Sequence, residues 1–208
     1  MALSDLFSNV HLLVRWLHVI AGIVWIGHLY FFNFVNIPLQ ASLDDAGKKI
    51  VNPKLMPRAL WWFRWGAMIT FLAGLTLFTM TYMYTPGAGF GSSELFQSSD
   101  GSLTGRAIWI LVGMAFGTMM WINVWFVIWP AQKKLLSGKA GDQAAAIRTR
   151  ALKASRMNTY MSAPMLFGMM APAHYGSVNL ITLAVAIGLG LVAIKCSYGV
   201  STKVGNSI

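Results

Sequence analysis

Long apolar blocks separated by short polar stretches dominate the chain, and five of them can be drawn, over 12–38, 59–84, 103–130, 150–173 and 178–198. A helix rises about 1.5 Å per residue, so roughly 20 residues cross the hydrocarbon of a bilayer. The first three blocks exceed that length and predict helices that tilt or protrude. As an apolar run the fourth is short, and its helix is predicted to begin in the Ala-rich basic stretch from Ala144 to Arg156. The pattern therefore predicts an all-α integral membrane bundle of about five transmembrane helices, one domain over 1–208. No internal repeat or separate soluble domain is evident. The first block is too long, and too poor in preceding positive charge, for a cleaved signal peptide, so it is expected to be a retained helix.

Charge orients this bundle. Charged residues make up 11% of the 208, and the net charge is +10. Lys48, Lys49, Lys54, Arg58 and Arg64 gather around the first connection, and Lys133, Lys134, Lys139, Arg148, Arg150, Lys153 and Arg156 around the third. Lys195 and Lys203 lie on the tail. The second connection is Gly/Ser-rich, with Glu94, Asp100 and only Arg106 at its edge. Positive charge favours the cytoplasmic side, which predicts an outside N-terminus and a cytoplasmic C-terminus. All basic residues except Arg15 and Arg106 then fall inside, so topology explains the charge without nucleic acid as a partner. Trp61, Trp62, Trp65, Tyr82, Tyr84 and Trp129 sit near the predicted boundaries, where amphipathic rings favour the interface. The single cysteine, Cys196, rules out an internal disulfide and a C-x-x-C-H haem-attachment motif within these residues.

The four histidines are the candidate chemistry. Ionisable groups within a membrane are costly and mark functional sites. His11 and His18 are seven residues apart, on one face and about 10 Å apart along the axis; His28 lies about 15 Å beyond His18. His174 closes the fourth block, so His11 or His18 comes from one helix and His174 from another, both toward the outside. Two imidazoles on separate helices suit one haem b, which hydrocarbon would shield from water. His18 and His174 are the expected axial ligands of the haem iron, with His11 and His28 as alternatives. Ala21 and Gly22 would admit the flat macrocycle, and Arg15 could pair with a propionate. The thirteen methionines read mainly as packing residues, and the spans carry no carboxylate relay. The role expected is electron transfer, to or from a periplasmic cytochrome c or a larger membrane complex. Small residues such as Gly113 and Gly117 suit close packing within the chain, with partner subunits or in a homo-oligomer.

Three segments carry a family resemblance. They are Leu13-Val-Arg-Trp-Leu-His-Val-Ile-Ala-Gly-Ile-Val-Trp-Ile-Gly27 with Tyr30-Phe-Phe; Trp62-Phe-Arg-Trp with Thr70-Phe-Leu-Ala-Gly74 and Asn123-Val-Trp-Phe-Val-Ile-Trp-Pro-Ala-Gln-Lys-Lys134; and Arg156-Met-Asn-Thr-Tyr-Met-Ser-Ala-Pro-Met-Leu-Phe167 with His174-Tyr175. Together they resemble the membrane domain of the bacterial membrane-bound urate oxidase (urate hydroxylase) family. More distantly, the first helix is similar to copper-resistance D and protoporphyrinogen oxidase J membrane proteins. The resemblance implies a haem-type scaffold in which His18 and His174 match the family histidines. It also implies oxidation of a urate-like small substrate as an alternative function, with Arg64, Asn123, Arg156 and Asn158 as polar candidates. A structural or assembly subunit of a respiratory or oxidase complex is the third reading. The family's cytochrome c domain is not found in these residues. His28, after Trp-Ile-Gly, stands where a small residue is expected.

Overall fold

The computed structural model describes residues 5–204. Helix α1 (Leu6–Tyr30) starts at Asp5, whose carboxylate accepts from the Ser8 amide at 3.0 Å and satisfies one free donor of the first turn. It passes through a π-helical turn, Phe31–Asn36, into α2 (Ile37–Ser42), so that 37 residues form one rod. Helix α4 (Gly105–Ile122) joins α5 (Trp129–Leu136) through a second π-helical turn, Asn123–Ile128. Each wide turn is followed by a proline at the second position of the next helix, Pro38 or Pro130. Proline lacks the N–H of the regular ladder and its ring crowds the carbonyl four residues back, so a widened turn lets the rod continue.

Helix α3 (Asp45–Tyr82) is capped by Asp44, which accepts from the Gly47 amide at 2.7 Å. It begins fourteen residues before the expected boundary at 59 and runs through Pro53 and Pro57. The expected first loop is therefore only Leu43–Asp44, and Lys48, Lys49, Lys54 and Arg58 ride on a helical extension. Apolarity marks where a helix enters lipid, whereas a cap marks where it starts; the capping aspartate lies in the polar stretch. The connection from α3 to α4 carries a small hairpin, β1 (Tyr84–Thr85) against β2 (Gly89–Phe90). Gly87 and Gly89 take φ of +85° and +90° there, a backbone region open to glycine.

Helix α6 (Ala144–Met170) starts where the Ala-rich stretch predicted, and a 3-10 turn, Ala171–Ala173, ends it. Helix α7 (Leu180–Ser201) opens with a reciprocal Asn179–Thr182 capping box. Helix α1 packs on α3, while α6 packs between α4 and α7. Gly113 and Gly168 let α4 and α6 touch backbone to backbone, and Gly190 receives Pro164 in the α6–α7 contact. Both π turns place an asparagine in this interior. Asn33 donates to Leu29 O and Ser155 Oγ and accepts from the Tyr198 hydroxyl. Asn123 donates to Asn158 Oδ1, and Asn158 donates to Met120 O. Trp25, Leu29, Phe63, Met120 and Val124 fill the core around them.

Four helical rods, Leu6–Ser42, Asp45–Tyr82, Gly105–Leu136 and Leu180–Ser201, are long and apolar enough to cross a membrane. Helix α6 has the length, at 27 residues, but Arg148, Arg150, Lys153 and Arg156 occupy its first half. Outward-facing side chains are heavily apolar, among them Leu13, Ile23, Ile181 and Leu189, each more than 60% exposed, a surface that lipid rather than water would cover.

Candidate functional site

His18 lies in the α1–α3 seam. Its Nδ1 meets the Thr70 carbonyl at 2.8 Å. Since a carbonyl can only accept, Nδ1 carries the proton, and in the neutral ring Nε2 keeps its lone pair. A backbone carbonyl on one ring nitrogen is the usual outer partner of a metal-ligating histidine. Gly74 makes room for the ring, because a Cβ there would stand 2.9 Å from His18 Cε1. Thr70 itself is held to its helix by a bond from Oγ1 to Gly66 O. Glycine at 66 and 74 keeps α1 and α3 close enough for the imidazole to reach across.

Residues 4–102 and, again, 94–203 match the model of the urate oxidase N-terminal family. The chain belongs to that family. No curated protein and no solved structure matches it.

The remaining candidates of this family member are distributed unevenly. His11 is near the N-terminal end of α1, with Nε2 at 3.0 Å from Thr81 Oγ1 and its ring stacked near Phe7. Arg15 lies one turn further along α1. Arg106 donates through Nε to Pro172 O at 2.8 Å, which ties the segment carrying His174 to the start of α4. His174 is exposed, its backbone amide bonded to Ala171 O. The short connection from α3 to α4 thus puts Arg106 and the His174 segment at the same end of the bundle as His11 and Arg15. His18 sits roughly 10 Å deeper than His11, and no contact joins it to His174. His28, in the last turn of α1, bonds Val24 O through Nδ1 at 2.7 Å and lines a separate groove. Among the described residues, no three His, Cys, Asp or Glu side chains converge.

One residue that matters here carried no role of its own in the sequence. Thr70 acts through its carbonyl, which no side-chain pattern reveals, although the Thr70–Gly74 segment is part of the family resemblance. Asn123 and Asn158, candidates for substrate contact, are instead bonded to each other inside the core. Arg64 keeps its candidacy: half-buried, it stands over the Trp129 ring at 3.7 Å, and no carboxylate pairs with it among the described residues. The indole N–H groups of Trp25, Trp121 and Trp125 are buried without an acceptor; Trp125 meets Trp65 edge-on and Trp121 stacks on Phe71.

Outside the spans, Asp5 and Asp100 titrate below the usual carboxylate range. For Asp5 the Ser8 hydroxyl and then its amide favour the charged form. For Asp100 the Ser102 amide leads, followed by the Ser102 hydroxyl.

Proposed function

We propose that this membrane protein holds one haem b through His18 and passes electrons near the outer face of a bacterial inner membrane. The observation that carries the reading is the Thr70 carbonyl on His18 Nδ1, which leaves Nε2 as a free ligand nitrogen. His174 would be the second ligand, its ring making no hydrogen bond within the described residues and its segment anchored by Arg106. Arg15 would face a propionate. When bound, the haem would supply one-electron exchange, while the chain supplies ligation, burial and orientation. The proposed topology has the N-terminus outside, α6 as a fifth crossing and the C-terminus in the cytoplasm; the charge asymmetry and the place of α6 between α4 and α7 support it. The electron partner would then be a periplasmic cytochrome c or another membrane subunit.

Protein purified from haem-sufficient cells should give a reduced-minus-oxidised b-type spectrum. His18→Ala should abolish it, and His174→Ala should turn a six-coordinate spectrum into a five-coordinate one. Haem-free wild-type protein from such cells would overturn the proposal.

A second reading, oxidation of a urate-like substrate, is favoured by Arg64 over Trp129 together with the family membership. An unpaired guanidinium beside indole faces suits a planar anion. Urate-dependent haem reduction that Arg64→Gln removes would support it.

A further inference from the structure

We propose that the groove between α1 and α3 around His28 is a binding site for the head group of a membrane quinol. The groove is open along one side and has a volume of about 510 Å³, within the usual range for small-molecule sites. Phe31 and Trp62 contribute aromatic walls, Ile23 and Gly27 continue it along α1, and its two ionisable lining groups are His28 and Arg58. It opens sideways on the apolar surface, where Ile23 is 68% and Trp62 54% exposed, so a ligand dissolved in the bilayer can enter without crossing water.

The hydrogen-bonding character of the two polar groups selects the ligand. His28 Nδ1 must donate to Val24 O, so the neutral ring presents Nε2 as an acceptor, unbonded among the described residues. Arg58 uses one N–H on the Lys54 carbonyl and has four others, all donors. The complement is a flat ring with one O–H to give to His28 and a second oxygen to accept from Arg58, and an apolar tail to follow Ile23 into lipid. A hydroquinone with an isoprenoid tail has these features. A phospholipid phosphodiester, which only accepts, would face Arg58 well but set an anion against the Nε2 lone pair. Nothing in this site depends on His18 or on a haem.

The test uses the full chain in phosphatidylcholine nanodiscs, kept anaerobic and titrated with tritiated decylubiquinol. Saturable binding of one quinol per chain, absent from empty discs, is expected. A Cβ at Gly27 meets nothing within 4 Å, and leucine favours helix over glycine; Gly27→Leu should therefore fold normally and abolish binding. His28→Phe, which keeps a flat ring but no acceptor, should weaken binding about tenfold, the scale of one hydrogen bond to a buried partner. The dimethyl ether of the same quinol, lacking both O–H groups, should bind wild-type protein at least as poorly. Absence of saturable binding overturns the proposal, as does binding indifferent to Gly27→Leu and His28→Phe. Equal binding of quinol and ether, with displacement of both by phosphatidylglycerol in wild-type but not Arg58→Gln protein, overturns it in favour of an anionic lipid.

Discussion

The α4–α6 contact offers a sharp test of the packing. At Gly168 an added Cβ would stand 2.7 Å from Gly113 N, 2.8 Å from Gly113 Cα and 3.1 Å from Trp109 O. All three are backbone atoms, so no side chain can rotate away. Ordinary carbon contacts lie near 3.5–4.0 Å, and Gly168→Ala must push the helices apart by about 1 Å. Overpacking of this kind costs about 1–3 kcal/mol, and the same opening stretches the 2.8 Å bond between Asn123 and Asn158 two to three turns away along α6. At about 2–4 °C per kcal/mol for a chain of this size, the apparent Tm in detergent should fall by roughly 2–12 °C. Gly188→Ala on α7 is the internal control, because a Cβ there meets nothing within 4 Å and alanine favours helix; its Tm should hold or rise. Equal Tm values for Gly168→Ala and wild-type protein would refute the close approach, and with it the reason for glycine at 113 and 168.

Two further expectations concern the exposed segments. The charged Asp5 caps α1, and its depressed pKa means that this contribution is present above the ordinary carboxylate pKa and fades as pH falls through the lower folded value; Asp5→Asn should flatten the acid limb of N-terminal amide exchange below about pH 4, and an unchanged acid limb would remove the cap. For topology, in protein whose Cys196 is replaced by Ser, a membrane-impermeant maleimide added to intact spheroplasts should label Ser92→Cys in the hairpin connection but not Gly138→Cys between α5 and α6, and the reverse pattern would invert the orientation.

The lipid-crossing parts of the fold were legible because an unbroken run of about twenty apolar residues matches the hydrocarbon thickness and leaves a helix no polar face to turn toward water. Helix starts were not: α3 begins at a cap just ahead of the lysines, and Pro53 and Pro57, which read as breaks, lie inside a helix that runs on through both. The π turns ahead of Pro38 and Pro130 were equally hidden, since the sequence shows the proline but not how the helix accommodates it. At the candidate site, the sequence singled out the histidines by their rarity in a membrane. It could not say which nitrogen each would present, because that is decided by the Thr70 and Val24 carbonyls, and a carbonyl has no letter in the sequence. Nor could it separate His11 from His18 by depth relative to His174, since helix spacing sets distances along one rod and leaves the neighbouring rod free to slide.

The chemistry and the bracing of this protein fall on different helices. His11, Arg15, His18 and His28 all lie on α1, and the contacts that define the His11 and His18 rings come from α3: Thr81 for His11, Thr70 and Gly74 for His18. The buried amide network lies elsewhere, on the two π turns, α6 and α7, through Asn33, Asn123, Asn158 and Tyr198. Asn33 is the joint between the two halves, since it sits on the α1 rod yet bonds Ser155 on α6 and Tyr198 on α7. In hydrocarbon such bonds have no water to replace them, so they fix the rotation of the α1 rod more firmly than apolar contact alone. That rotation decides which way His18 and His28 face. A widened turn carrying a buried asparagine thus positions one imidazole in the neighbouring turns and another roughly four turns away, and links the irregular backbone of the rod to the sites proposed along it.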